Sequence, residues 1–291
     1  MLQRICWIHF KFNKQLRFAG LFSFFYLKYK LTRCIIHPKQ EKFAFMSNII
    51  INSYKTVPEG VDCFVTTRHG GYSRGDYGNF NLAVSTAEDH RVAMKNIELL
   101  KNEFHLSKLV NLNQVHGNMV YEVTSDNYTD IMYREGDGLF TLESDIALGV
   151  LTADCYNVFL AGKKAVAALH CGHKSVSSDI MGEAIKLFVK HGDFPVFAGI
   201  GPGISCANYE IGPELADTFG KICHDSIVVK DGKLYLSLRT VIEQNLTNAG
   251  IRHIEHLRNC TFEDESLYSH RRDKGVTGRM MGVIVRRSDV R

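Results

Sequence analysis

The sequence predicts a layered α/β fold, on three observations. Short apolar runs of strand length, such as Ile146 to Thr152 and Ala165 to Leu169, alternate with stretches of helical period such as Asp89 to Phe104. Glycine-containing turns punctuate the joins between them. No linker divides residues 55–291, so the alternation belongs to one continuous layered body. At 291 residues with 45% apolar and 23% charged side chains, the chain can bury a substantial core. No fixed-period repeat suggests a solenoid or propeller.

In chain order, Val61 to Thr67 is a β-branched run that ends in Arg68-His69-Gly70-Gly71, a strand entering a tight loop. Asp89 to Phe104 is a helix with Val92, Ile97, Leu100 and Phe104 on its apolar face. Leu109 to Leu112 and Met119 to Val123 are short strands around the loop Asn113-Gln114-Val115-His116-Gly117. The run Ile146 to Thr152 leads into Ala153-Asp154-Cys155, and Ala165 to Leu169 leads into His170-Cys171-Gly172. Ser177 or Ser178 is the expected cap of a helix through Lys190, with Ile180, Ala184, Leu187 and Phe188 inward and Gly192 beyond its end. Pro195 to Ile200 is a strand reaching Gly201-Pro202-Gly203. Leu238 to Ala249 is a helix with Leu238, Ile242 and Leu246 on one face and Gly250 as its stop.

The formal charge of +4 is unevenly distributed. Residues 1–45 hold 9 Lys/Arg and one acidic residue, Glu41, which leaves 26 basic and 30 acidic residues in 46–291. The body is therefore mildly acidic and offers no basic face for nucleic acid. Residues 1–45 form a basic, aromatic-rich extension, and the leading expectation is sequence upstream of a start at Met46. A targeting segment and a structural arm are the alternatives. Its longest uncharged apolar stretch, Phe18 to Leu27, is ten residues, against the roughly 20 a membrane span needs. Eight cysteines lie without close spacing, so a reduced, cytoplasmic setting is expected, with most thiols acting as small buried hydrophobes.

Cys155 and His170 each close an apolar strand, and His116 sits in a glycine-bounded loop, places where rigid backbone presents a side chain to a pocket. Two imidazoles and a thiolate suit Zn²⁺ and leave a fourth tetrahedral position for water or substrate. Zinc there would lower the pKa of a water toward neutrality. The three residues lie 39 and 15 positions apart, which is no spacing motif. Taken one by one they read equally as satisfied histidines and a buried thiol.

The ordered segments Asn113-Gln114-Val115-His116-Gly117, Gly136-Asp137-Gly138-Leu139, Thr152-Ala153-Asp154-Cys155, His170-Cys171-Gly172, Gly201-Pro202-Gly203-Ile204, Tyr209-Glu210-Ile211-Gly212 and Ser269-His270-Arg271-Arg272 with Thr277-Gly278-Arg279 resemble the laccase-domain family over about residues 55–285. Members of that family are also called multicopper polyphenol oxidase domain proteins or purine nucleoside phosphorylases of the laccase-domain type. The resemblance implies a single domain over 46–291, an α/β/β/α sandwich with mixed sheets. It implies zinc, with copper as the alternative, held by His116, Cys155 and His170. It also implies phosphorolysis of adenosine, inosine, guanosine and methylthioadenosine together with adenosine deamination, so the expected partners are purine nucleosides and phosphate. Neither nucleic acid nor a membrane is expected, and the oligomeric state stays open.

Beside the resemblance, several residues have two readings each. Arg68 suits phosphate or a ribose oxygen, or is a plain surface arginine. Arg271 and Arg272 form either an anion contact or a C-terminal ion pair. Gln114 adjoins the ligand loop and is a candidate for the purine edge. Asp137 orients a ligand histidine or makes an Asx turn. Asp154 is read as a structural hydrogen-bond acceptor, because strand neighbours point to opposite faces. Two departures alter the family pattern: His173-Lys174-Ser175 stands where Trp-Arg-Gly or Trp-Lys-Gly is usual, and Asn157 where Pro is usual. Both are expected to change the pocket lining, the first by removing an indole that would stack on a purine. His173 is a partial replacement, an extra donor or ligand, or a rim histidine. Copper-dependent phenol oxidation, a metal-free Cys155–His170 hydrolase editing peptidoglycan precursors, and a non-enzymatic binding role are the competing functions.

Overall fold

Residues 49–288 are described in the computed structural model; the extension at 1–45 lies outside them. Among the described residues the strands are β1 (Ile51–Ser53), β2 (Val61–Thr66), β3 (Lys108–Val110), β4 (Val120–Glu122), β5 (Gly138–Thr141), β6 (Ile146–Thr152), β7 (Tyr156–Ala161), β8 (Val166–Cys171), β9 (Phe197–Ile200), β10 (Glu210–Ile211), β11 (Ile227–Lys230), β12 (Lys233–Leu236), β13 (Ile254–His256) and β14 (Met280–Arg286). The α-helices are α1 (His90–Glu103), α2 (Tyr128–Ile131), α3 (His173–Ser177), α4 (Ile180–Lys190), α5 (Pro213–Ile222) and α6 (Leu238–Asn248).

A first sheet runs β1-β2-β14-β6-β3 and a second β13-β9-β7-β8-β5-β4, each mixing parallel and antiparallel pairs. A small third sheet runs β10-β12-β11. Alternation along the strands explains the layering, because successive side chains leave a strand on opposite faces. On β7, Val158 and Leu160 pack with Ile180 and Phe188 of α4 and with Val241 and Ile242 of α6. Phe159 and Ala161 point the other way, into a core shared with Val65, Leu148 and Ile284 of the first sheet. The far side of that sheet, through Phe64, Met281 and Val283, receives Ile97 and Leu100 of α1. The order is helix, sheet, sheet, helix, the expected α/β/β/α sandwich. Each fully buried Leu, Phe or Val contributes roughly 1.5–3 kcal/mol of transfer free energy. The sheets approach so closely at Gly282 that a Cβ there would lie 2.5 Å from Phe159 Cζ.

Several elements differ from expectation for local reasons. On α1 Ile97 and Leu100 are buried as expected and Phe104 packs against them, but Ala93 and Asn96 complete the buried face in place of Val92. Asn96 is buried because its amide donates to Ser73 Oγ and Asn81 O while its oxygen accepts from Tyr72 N, tying the helix to the preceding loop. Asp89 is the N-cap, accepting from Arg91 N. The expected helix start at Ser177 or Ser178 is replaced by the short α3 and then α4. Asp179 caps α4 in a left-handed conformation and accepts from Gly182 N. β7 carries no period distinct from its neighbours in the sequence, because it is buried on both faces.

Two connections carry the chain from the first sheet to the second: the loop between β3 and β4, and the three-residue turn Ala153-Asp154-Cys155 between β6 and β7. Below the second, Asn157 is fully buried and donates to Val150 O at 3.2 Å, joining β7 to β6. Among the described residues no helix is long and apolar enough to cross a membrane.

The hairpin from β7 to β8 is closed by Asp193, whose carboxylate accepts the backbone N–H of Lys163, Lys164 and Ala165 at 2.8–3.0 Å. Burial pushes this carboxyl up, but the N–H groups of Lys164, Ala165, Phe194 and Lys163 outweigh it and hold it below its usual range. Asp193→Ala is expected to destabilise the protein by about 1–3 kcal/mol, read as a lower midpoint in thermal melts. Because the folded-state pKa is depressed, the wild-type advantage is full above the unfolded carboxyl pKa of about 3.9 and disappears as pH falls below it.

Candidate metal centre

Both connections from the first sheet to the second deliver a candidate ligand. His116 comes from the β3–β4 loop, held at φ +63°, and Cys155 from the β6–β7 turn, where Asp154 adopts φ +90°. His170 comes from β8, directly opposite Asn157 of β7. Their side-chain donor atoms all lie within 4.8 Å of one another, and His116 and His170 meet edge to face with ring centroids 4.7 Å apart. His116 is exposed, Cys155 half-buried and His170 buried, so the cluster has an open side.

Asp137 organises this cluster. Its side chain has no exposure, and Oδ1 meets His170 Nδ1 at 2.7 Å while accepting His116 N at 2.9 Å. Oδ2 accepts Gly117 N at 2.6 Å and Val115 N at 3.3 Å. One carboxylate therefore fixes the histidine ring, leaving Nε2 for a metal, and pins the loop that carries the second histidine. This is the orienting role; its partners lie 20–22 and 33 residues away, so an Asx turn does not describe it. Burial pushes Asp137 up, but His170 and the N–H groups of Gly117 and His116 leave it below the usual carboxylate range.

Charge complementarity runs through the cluster. Burial pushes the Cys155 thiol up, yet the imidazoles of His170 and His116 outweigh it and lower its pKa. Burial pushes His170 down, while Cys155 and Asp137 outweigh it and raise its pKa. Gly172 supplies the space: a Cβ there would stand 3.0 Å from His116 Cδ2 and 3.1 Å from Cys155 Sγ. Two imidazoles, one thiolate, a buried orienting carboxylate and this close-packed glycine fit a tetrahedral metal with one open position.

The cluster borders a cavity of about 690 Å³, also lined by Asn111, His173, Tyr209, His270, Arg271 and Arg279 among others. Arg271 sits over the Tyr209 ring at 5.4 Å and donates to Glu210 O. Asp154 accepts from Thr261 Oγ1 and Arg271 N at 2.6 and 2.7 Å, the structural-acceptor role expected of it. His173 lies on the wall with Nδ1 3.2 Å from Tyr209 OH, and burial and then His116 lower its pKa.

Three expectations need correction. Gln114 borders the cavity, but one N–H of its amide donates to Leu151 O at 2.7 Å and its oxygen accepts Leu151 N at 2.8 Å, so it fastens the loop to β6 and keeps only its second N–H and one lone pair for a ligand. Arg68 does not line this cavity; its Nε donates to Gly78 O and its guanidinium lies over Tyr268, which directs it into a second cavity. Asn157 does not line the cavity either: it belongs to the junction of the two sheets. Arg272 takes the ion-pair alternative, with Asp273 at 2.8 Å.

Sequence reasoning gave no role to Asn111, His270 or Arg279. Arg279 donates from one terminal nitrogen to Thr277 O and Gly278 O; burial lowers its pKa, and Cys155 and Asp154 act in the opposite direction. Asn111 is buried, and its carboxamide has no hydrogen-bond partner among the described residues. Nothing local distinguishes these side chains from core or surface residues; only convergence on the cavity does.

Residues 62–287 match the family model of the multi-copper polyphenol oxidoreductase laccase. A protein of Corynebacterium glutamicum named a purine nucleoside phosphorylase is 32% identical over 226 residues, covering 75% of this chain and 92% of the relative. A purine nucleoside phosphorylase of Escherichia coli, YfiH, is 29% identical over 246 residues, covering 82% and 99%. Among solved structures, YlmD from Geobacillus stearothermophilus aligns with TM-score 0.73 and 27% identity over 79% of this chain and 93% of that one.

Two substitutions test the centre by metal analysis and chelator competition. Cys155→Ala is expected to remove stoichiometric metal. Asp137→Asn, which keeps size but loses the carboxylate, is expected to weaken metal binding about 10–100-fold. Unchanged affinity in Asp137→Asn would disprove the orienting role.

Proposed function

The chain belongs to the multi-copper polyphenol oxidoreductase laccase family, and from that premise we propose that it is a zinc-dependent purine nucleoside phosphorylase that also deaminates adenosine. The observation that carries this reading is one cavity joining the His116–Cys155–His170 cluster to the guanidiniums of Arg271 and Arg279. Its volume of about 690 Å³ lies within the roughly 300–1,000 Å³ of small-molecule sites. The substrates are adenosine, inosine, guanosine and methylthioadenosine, with inorganic phosphate as the second reactant.

His116, Cys155 and His170 hold the metal, and Asp137 keeps His170 in the tautomer that presents Nε2. A zinc ion held there would supply Lewis acidity and would lower the pKa of a water. In phosphorolysis phosphate attacks the sugar C1′ while the base departs. Arg271 and Arg279 hold the phosphate dianion by charge-assisted hydrogen bonds. Asn111 offers a free donor and acceptor to the base, taking the place foreseen for Gln114. Tyr209, held by His173 and Arg271, gives the cavity an aromatic wall.

Copper chemistry on phenols is less well supported. The described residues contain one His/Cys/acid cluster suited to a metal, whereas four-electron reduction of oxygen ordinarily draws on several coppers. A second reading rests on a specific observation: Cys155 lies within 4.8 Å of the His170 ring, which is bonded to Asp137, an order like that of a nucleophile, base and orienting carboxylate. It predicts alkylation of Cys155 that zinc does not prevent.

The test is product analysis on metal-quantified enzyme given inosine or adenosine, with and without phosphate. Phosphate-dependent release of hypoxanthine with ribose 1-phosphate is expected from inosine, and phosphate-independent inosine from adenosine. Cys155→Ala should abolish both. Arg279→Gln should lower kcat/KM for phosphate about 10–100-fold, the loss of a charge-assisted hydrogen bond. Full inosine cleavage by Cys155→Ala would sink the proposal.

A further inference from the structure

The loop that follows β2 begins Arg68-His69-Gly70-Gly71, and the fold turns its arginine away from the metal cluster. Arg68 instead lines a separate cavity of about 610 Å³ with His69, Arg74, Asn79, Glu265 and Arg272. The turn that follows Ser269 divides the two cavities: Arg271 faces the metal cluster, while Arg272, its chain neighbour, faces the second cavity.

Arg68 is held unusually firmly for a half-buried arginine. Its N–H donates to Ser266 O, its carbonyl accepts Asn79 N, its Nε donates to Gly78 O at 2.8 Å, and its guanidinium lies 4.8 Å from the centre of the Tyr268 ring. Tyr268 is itself fixed, with its hydroxyl donating to Tyr77 O and accepting Phe80 N. The terminal nitrogens of Arg68 have no hydrogen-bond or ion-pair partner among the described residues, and neither has the exposed guanidinium of Arg74. Arg272 is different: Asp273 and the carbonyls of Thr261 and Leu267 occupy its donors, so it contributes to the wall rather than to a ligand. The exposed Glu265 is the one carboxylate lining the cavity, and it pairs with neither Arg68 nor Arg74.

We propose that this second cavity binds a single phosphoryl dianion, gripped by the terminal nitrogens of Arg68 and Arg74 with His69 beside them. A guanidinium already fixed in place loses little side-chain freedom on binding. Two forked guanidiniums and an imidazole supply more donors than the two oxygens of a carboxylate accept, which suits the three oxygens of a phosphoryl group. Glu265 sets the upper limit on charge, because a di- or triphosphate reaching across the cavity meets a like charge. The site is independent of the metal cluster and of the reaction proposed there.

The probe is inorganic phosphate, titrated calorimetrically into the metal-loaded full chain, with adenosine monophosphate and adenosine in parallel arms. Arg271→Gln serves as the background that removes a phosphate contact of the metal cavity. Arg68→Gln and Arg74→Gln are each expected to weaken phosphate binding tenfold or more. Glu265→Gln is expected to tighten it severalfold, a gain that no folding defect imitates. Arg74 and Glu265 are exposed, so these two variants decide the matter if Arg68→Gln does not fold. Tighter binding of adenosine monophosphate than of phosphate, lost in Arg74→Gln, identifies a nucleotide as the source of the phosphoryl group. Equal or weaker binding identifies free phosphate. Absence of saturable phosphate binding in the wild type overturns the proposal. So does binding lost in Arg271→Gln but untouched by Arg74→Gln and Glu265→Gln.

Discussion

The carboxylate of Asp137 is the contact on which the candidate centre depends. Buried without solvent, it would be costly were its oxygens not saturated. Here they accept the N–H groups of Val115, His116 and Gly117 and bind the ring of His170. This single group joins a loop leaving the first sheet to a strand of the second. Remove its charge and the loop keeps only its ties through Asn113 and Gln114, while the His170 ring loses the partner that fixes its tautomer. The paired cost of burial and the gain of these bonds explain why an acidic residue is tolerated between two glycines at the edge of an apolar core.

The second constraint is the way the sheets meet. β6 ends in the first sheet and β7 begins in the second, and the intervening turn is too short to do anything but present Cys155 at the junction. Its neighbour Asp154 accepts from Thr261 and Arg271, tying that turn to the segment that supplies the cavity's arginine. Gly172 and Gly282 permit the close approaches on either side: one leaves room for the ligand side chains, the other lets the two sheets pack with Phe159 between them. The departure at Asn157 belongs to this junction, where its amide donates to Val150 O and ties β7 to β6. The departure at His173 belongs to the cavity wall, where it holds Tyr209.

The two cavities show how a fold divides charge. Arg271 and Arg272 are adjacent in sequence yet face opposite sides of one turn, and their neighbours differ accordingly. On one side guanidiniums border a cluster containing a thiol; on the other, Arg68 is fixed over Tyr268 without an acidic partner among the described residues. Like charges gather on both sides of the turn, and among the described residues only the first side has a cluster that could hold a metal.

By itself, the sequence determined the layered α/β class, the principal strands and helices, and, through its ordered motifs, the three residues that the fold gathers into one cluster. Apolar period and turn chemistry are local properties, and they survive being read one residue at a time. β7 escaped because its uninterrupted apolar run, Val158 to Ala161, is only four residues long, and on α1 Asn96 joins Ile97 and Leu100 on the buried face through hydrogen bonds made to a distant loop. Tertiary structure alone decided that Gln114 is fastened to β6, that Arg68 belongs to another cavity, and that Asn111, His270 and Arg279 reach the metal cluster's side. Those assignments depend on which way a side chain leaves a turn and on partners many residues away, and neither is written in the spacing of the chain.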